Sequence, residues 1–322
     1  MIWAEREASL KVLISGNSGF IGSHLAKNYM EAGWDVFGWD TDGISSGNDF
    51  WFKADMMNPS ETQLAIKKIM PDLILHCAGS ADVNKSVNAP LEDLRGNYIT
   101  TENLLFAIKN NKLQQCRFVL FSSAAVYGNP LFLPMDEQQP INPLSPYALH
   151  KRAAEEACEF MHRNYHLDVK ILRIFSVYGP GLKKQIFWDM YRKIAETGSL
   201  QLYGSGDESR DYIYIDDLVS AVSIISETAP FEDIYFNIAN GEEITIREAA
   251  LIFAANAGLD KSKISFMGTR REGDPINWRA DISKLKKLGY LKSVSFSQGI
   301  SNYIAWAEGL KTDEKGINIC SL

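Results

Sequence analysis

Short apolar, β-branched runs alternate with longer stretches of helical pattern through the first half of the chain. KVLIS leads to IGSHLAKNYMEAG and then DVFGWD, and DLILHCA and RFVLFSS come further on. That rhythm predicts a parallel sheet covered by helices on both faces, an α/β doubly wound architecture. SPYALHKRAAEEACEFMHRNYH predicts a long helix, with Ser145 placed to cap it and Pro146 in its first turn. VKILRIF then supplies another buried strand. The second half is less regular: GLKKQIFWDMYRKIAETG, RDYIYI and the segment from EITIREAA onward predict a smaller, mixed lobe at the sheet's carboxyl edge. Residues 1–177 are assigned to the sheet domain, with a return segment near 210–240, and residues 178–322 to the lobe.

At 322 residues the chain can bury a sizeable core. Its 46% hydrophobic and 23% charged residues exclude a disordered or fibrous chain. No run is apolar enough to span a bilayer, and MIWAEREASL reads as neither a secretory signal nor a transit peptide, so a cytoplasmic protein without a membrane partner is expected. A formal net charge of -7 with no block of lysines or arginines argues against a nucleic-acid partner. Cys77, Cys116, Cys158 and Cys320 are scattered and lack C-x-x-C spacing, which suggests reduced, packing cysteines rather than a zinc site or disulfides.

VLISGNSGFIGSHL places Gly16, Gly19 and Gly22 between a strand run and an amphipathic helix. In that context Gly16 makes the tight turn, Gly19 admits a pyrophosphate, and Gly22 lets the helix pack on the sheet. The helix amino terminus then faces the phosphates. Asp40 ends the second strand, where a carboxylate would accept both hydroxyls of an adenosine ribose and repel an added phosphate. NAD is therefore expected over NADP, with Asp42 in WDTDG competing for the same role.

SPYALHK sets Tyr147 and Lys151 four residues apart, on one face of the predicted helix. The glycine triplet, a serine on FVLFSS and this Tyr-x-x-x-Lys, in that order, resemble the extended short-chain dehydrogenase/reductase superfamily. Within it, SSAAVYGNPLFLPMDEQQPINPLSPYALHK resembles the nucleotide-sugar epimerases and dehydratases, above all the UDP-glucose 4-epimerase type. The likeness runs from about Lys11 to about Tyr290. It implies a Rossmann domain in which Tyr147 exchanges a proton with a sugar hydroxyl while hydride passes to the nicotinamide. A phenol titrates near ~10, and Lys151, with the positive nicotinamide, is expected to draw it down and to hold the nicotinamide ribose. Ser123, preferred over Ser122, would donate or relay a hydrogen bond at the sugar oxygen. The resemblance also assigns Asp55 to the adenine amino group, Ala78 and Gly79 to the loop over the phosphates, and Asn97 to support of the catalytic helix. Phe20, Ile21, Met56 and Phe175 complete the expected cofactor set. His76 reads as a core strand residue.

A sugar nucleotide carries a diphosphate, which calls for arginines. LYGSGDESRDYIYIDDL resembles the segment where an aromatic residue abuts the base and an arginine reaches the phosphates, giving Tyr203 and Arg210; RREGDPINWRADISKLKKLGY gives Arg271 and Asp274. Ser176 stands where the 4-epimerases have an asparagine touching substrate, and Ala81 replaces a lysine near the cofactor. Ala124 and Ala125 stand where the 4,6-dehydratases carry an Asp-Glu pair, which disfavours dehydration. The resulting expectation is an NAD-dependent epimerase acting at C4 of a nucleotide sugar, with a UDP-sugar as substrate. A 4-ketoreductase with the same triad and a non-catalytic NAD or sugar-nucleotide sensor are the alternatives. Helices around LEDLRGNYITTENLLFAIKNN and YALHKRAAEEACEFMHRNYH correspond to those that pair in family dimers, so a homodimer is expected.

Overall fold

Among the described residues the elements run in the order β1 (Lys11–Ser15), α1 (Phe20–Glu31), β2 (Asp35–Trp39), β3 (Trp51–Phe52), α2 (Pro59–Ile69), β4 (Leu73–His76), α3 (Val83–Asn88), α4 (Pro90–Leu94), α5 (Thr100–Asn110) and β5 (Arg117–Ser123). There follow α6 (Pro146–Tyr165), β6 (Asp168–Ile174), β7 (Ser176–Tyr178), α7 (Gln185–Thr197), β8 (Leu200–Leu202), β9 (Ser209–Arg210), β10 (Tyr212–Tyr214), α8 (Ile215–Thr228) and β11 (Tyr235–Ile238). The last elements are β12 (Ile244–Thr245), α9 (Ile246–Asn256), β13 (Ile264–Phe266), α10 (Ser283–Lys287) and α11 (Phe296–Ile317). This computed structural model describes residues 9–40, 51–52, 55–269 and 276–317.

Seven strands form one parallel sheet in the order β11-β6-β5-β4-β1-β2-β3. Successive residues of its central strands feed two different cores. Val12, Ile14, Leu73 and Leu75 pack on one face, and Leu13, Ile74, Phe118 and Leu120 on the other. Both faces being covered, these strands read as continuous apolar runs, and each fully buried side chain of this size contributes roughly 1.5–3 kcal/mol.

Strand order reverses between β1 and β4, because the chain leaves β1 toward β2 on one side and later returns to β4 on the other. Doubly wound sheets open a crevice at the carboxyl ends of the strands at such a point. The loops after β1 and β4 both run there. Small paired strands, β7 with β10, β9 with β12 and β8 with β13, build the second wall beyond β6.

The helix that borders the crevice starts where its sequence dictates. Ser145 accepts from the Ala148 amide at 3.2 Å and Pro146 occupies the first turn, so α6 begins immediately before Tyr147. It ends at His166, which takes the left-handed conformation at φ 53°. No described helix is long and apolar enough to cross a membrane.

Candidate active site

A cavity of about 700 Å³ opens at the crevice and runs from Ile21 and Gly79 to the second wall. Among the residues named from sequence, Ile21, Gly79, Ser123, Tyr147, Lys151, Phe175, Ser176, Tyr203 and Arg210 line it. Three elements bring the chemistry together: the end of β5 carries Ser123, the first turns of α6 carry Tyr147 and Lys151, and Ser176 starts β7.

Ser122 and Ser123 are separated by their partners. Ser122 donates to the buried carboxylate of Glu155 at 2.6 Å. Ser123, on the other face of the strand, accepts from the Ala125 amide at 3.1 Å and lies near enough to the Tyr147 hydroxyl to oppose the rise in its titration. The Tyr147 backbone amide donates to Ser86 Oγ at 3.1 Å, which ties α6 to α3. Lys151 donates from Nζ to the Phe121 carbonyl at 2.9 Å, and its ammonium lies 6.0 Å from the centre of the Tyr147 ring.

Desolvation dominates the electrostatics of the pair. Burial pushes the Tyr147 phenol up to about 12; the Ser123 hydrogen bond opposes that and Asp93 adds to it. Burial also brings the Lys151 ammonium down to about 8, with Asp93 opposing. Sequence spacing shows that a cation is adjacent; it does not show how much water both groups lose.

At the other end of the crevice Gly16 takes φ +70°, and a Cβ there would sit 2.9 Å from the Ala78 backbone. The loop thus lies directly on the strand end after β4. A Cβ on Gly22 would meet the Gly16 carbonyl at 2.2 Å, so α1 packs close against the loop. Gly79, at φ +132°, leaves room for the Asn97 side chain, whose Oδ1 is buried without a protein hydrogen bond. Asp40 stands over the loop and accepts from the hydroxyl and amide of Ser18. Phe20 turns away to meet His24 edge-on at 5.4 Å. Asp55 is exposed and accepts from the Met57 amide at 2.9 Å, while the Met56 side chain enters the core. His76 is buried, bonded through Nδ1 to Ser15 Oγ at 2.6 Å.

On the second wall, Arg210 bonds the Ser209 carbonyl at 2.7 Å and lies 5.8 Å from the Trp278 ring centre; Tyr203 stands beneath the Lys193 ammonium at 5.9 Å. Asp211, next to Arg210, is fully buried and accepts from the amides of Asn240, Gly241 and Ala280, which pins this strand to two later loops. Arg271 and Asp274 lie outside the described residues.

The sequence profile of the NAD dependent epimerase/dehydratase family matches residues 12–239. The chain belongs to that family. It is 29% identical over 315 residues to the UDP-glucose 4-epimerase of Mycolicibacterium smegmatis, covering 92% of this chain and 97% of that protein. Two solved structures superpose at a TM-score of 0.84. The UDP-glucose 4-epimerase of Thermotoga maritima with UDP-glucose is 25% identical, over 94% of this chain and 100% of the other. The UDP-glucuronic acid 4-epimerase of Bacillus cereus with UDP-glucuronic acid and NAD is 27% identical, over 94% and 100%.

The crevice of this family member fits its dinucleotide on physical grounds. Gly16 and Gly22 let the β1 loop lie close against the strand end after β4 and against α1, and the N-cap of α1 is Gly19, with no side-chain cap, which leaves amide donors for a pyrophosphate. Asp40 supplies a carboxylate at the end of β2.

Several cavity residues were not singled out from sequence: Asn84, Gln185, Trp188, Arg192 and Trp278. Gln185, Trp188 and Arg192 repeat along α7 at i, i+3 and i+7, opposite its buried Phe187, Met190 and Tyr191. That stripe is a helical periodicity, and it was available to find Arg192. Trp278 carried no such signal.

Proposed function

We propose that this family member interconverts the C4 epimers of a UDP-activated sugar. One observation carries the reading: Ser123, Tyr147 and Lys151 converge on a cavity whose far wall presents Tyr203 and Arg210. A proton-transfer group at one end and an arginine at the other match the chemistry of a sugar nucleotide, and the relatives named above are 4-epimerases.

In this scheme the Tyr147 oxygen takes the proton of the sugar C4 hydroxyl and returns it after the sugar has turned over. Ser123 donates to the same oxygen as charge develops on it. Lys151, held by the Phe121 carbonyl, keeps its ammonium 6.0 Å from the centre of the Tyr147 ring. NAD, when bound, would supply the hydride acceptor and a positive ring that favours the phenolate. Gly16, Gly19, Ile21, Ala78 and Gly79 would border its phosphates, Asp40 its adenosine ribose, and Phe175 the nicotinamide end. Arg210 and Tyr203 anchor the nucleotide while the flat 4-keto sugar presents its other face. Residues 178–322 act as the substrate lobe.

A homodimer is supported by exposed apolar side chains on the outer face of α4, α5 and α6, among them Leu91, Phe106, Leu149 and Phe160. The unpaired Cys77, Cys116 and Cys158 are consistent with a cytoplasmic setting.

Mass spectrometry of the denatured, purified protein should release NAD. Incubation with UDP-glucose, UDP-N-acetylglucosamine or UDP-glucuronic acid should give the C4 epimer of at least one without added cofactor. Stoichiometric NAD(P)H consumption would identify a reductase instead, and no turnover with any sugar nucleotide would leave only a binder.

A further inference from the structure

Between Tyr147 and Lys151 on α6 lies His150, and its ring meets a carboxylate that the scheme above leaves unused. Asp93 on α4 is 3% exposed and His150 is 9% exposed. Asp93 Oδ2 accepts from His150 Nδ1 at 2.7 Å, and Oδ1 accepts from Asn97 Nδ2 at 3.1 Å. An imidazole can only donate to a carboxylate, so the proton is on Nδ1. Asn97 belongs to a π turn, Arg95–Ile99, that joins α4 to α5. Short irregular turns of this kind are frequent at functional sites. Both oxygens of a buried acid are thus fixed by directed donors, neither of them on a lysine or arginine.

We propose that Asp93, anchored by His150 and Asn97, is a positioning residue for the Tyr147–Lys151 pair, its carboxylate keeping the buried ammonium of Lys151 charged and in place. The proposal rests on the roles given to those two residues above. Its geometry is a contiguous path: Asp93 holds His150, which precedes Lys151 on α6 and follows Tyr147 by three residues, and Asn97 carries the same contact to the Gly79 loop on the crevice floor.

The groups around Lys151 come from four elements. Asp93 of α4 is the foremost group opposing the neutral amine, ahead of Cys77 after β4 and Glu155 on α6. His76 of β4 is itself held neutral by burial, down to about 3. β5 contributes the Phe121 carbonyl. The same Asp93 charge raises the Tyr147 phenol. Removing it therefore lowers both titrations together, whereas a simple loss of packing has no reason to move them in one direction.

The test is a pH titration of the Lys151 ζ nitrogen by NMR, in the protein as purified with isotope-labelled lysine, the resonance assigned by its loss in Lys151→Arg. The wild type should titrate below the ordinary lysine range. Asp93→Asn should titrate roughly half a unit or more lower. His150→Lys, which adds a cation beside the carboxylate, should move it the same way and serves if Asp93→Asn does not fold. His150→Gln, which keeps a donor for Asp93, should leave the midpoint within about 0.2 units. An unmoved midpoint in the folded charge variants overturns the proposal, as does an equal shift in His150→Gln. No substrate is needed, so this outcome is separate from the epimerase reading, which fails on absent turnover by the wild type. In the active enzyme, both limbs of the kcat/KM profile of Asp93→Asn should move to lower pH.

Discussion

Ser122 gives its hydroxyl to the buried carboxylate of Glu155 at 2.6 Å, and this leaves its neighbour Ser123 as the serine that faces Tyr147. Glu155 also takes Arg173 through Nε at 3.1 Å and Nη2 at 2.9 Å, so the end of β5 is clamped to α6 and β6. Ser122→Ala removes one hydrogen bond to a charged acceptor that keeps its arginine, and should cost about 1–3 kcal/mol of stability. Ser123→Ala removes a donor at the reacting oxygen and should lower kcat by roughly a hundredfold. Urea midpoints and turnover measured on both variants separate the roles. Equal losses of kcat would refute the division.

The fold and one end of the site were legible because their signals are local. Gly16, Gly19 and Gly22 sit within one strand-turn-helix unit, and Tyr147 and Lys151 share a helix face, so spacing alone brings them together. Asp93 and His150 were not legible, since their contact spans 57 positions and depends on how α4 lies against α6. Trp278 reaches the cavity from a late loop for the same reason. The titration of the phenol was not legible for a different reason. Its neighbours were identifiable in the chain, but the desolvation that outweighs them is a property of the packed structure.

Arg210→Ala should raise KM for a UDP-sugar by about tenfold or more, the scale of a lost charge-assisted contact to phosphate. The guanidinium lies on the second wall, away from the glycine loop, so the NAD content of the purified variant should equal that of the wild type. Its bond to the Ser209 carbonyl and its place beside Trp278 keep it directed along that wall. Steady-state kinetics with the cofactor released and counted would test this. An unchanged KM, or loss of NAD, would remove Arg210 from the nucleotide end.

Gly16→Ala should empty the cofactor site before it disturbs the rest of the fold. At φ +70° an added Cβ is strained, and it would meet the Ala78 Cα and N at 2.9 Å, both backbone atoms that cannot swing aside. The strain is of order 1–3 kcal/mol. Relief requires the loop after β1 to lift from the strand end, which displaces the amide donors at the start of α1. The expected result is less NAD per protein chain at a largely preserved circular dichroism spectrum. Full NAD content would show that the loop tolerates the lift.

His76 should make the protein acid-sensitive. The ring is 1% exposed, bonded to Ser15 Oγ, and burial lowers it from 6.5 to about 3. As pH falls through 6.5 the unfolded chain takes up a proton that the folded chain refuses until about 3, so stability is lost across that window. By about pH 5 the loss is about 2 kcal/mol. Asp211 works in the opposite sense: burial raises it from 3.8 to about 7, the folded state binds its proton first, and stability is gained as pH falls between those values. The two effects overlap, so the absolute pH dependence is not diagnostic. The difference between wild type and His76→Asn is, because Asp211 contributes equally to both. Urea unfolding should show the advantage of the wild type over the variant shrinking by about 2 kcal/mol between pH 7 and 5. A constant difference would mean that the folded protein accepts the proton on His76 as readily as the unfolded chain does.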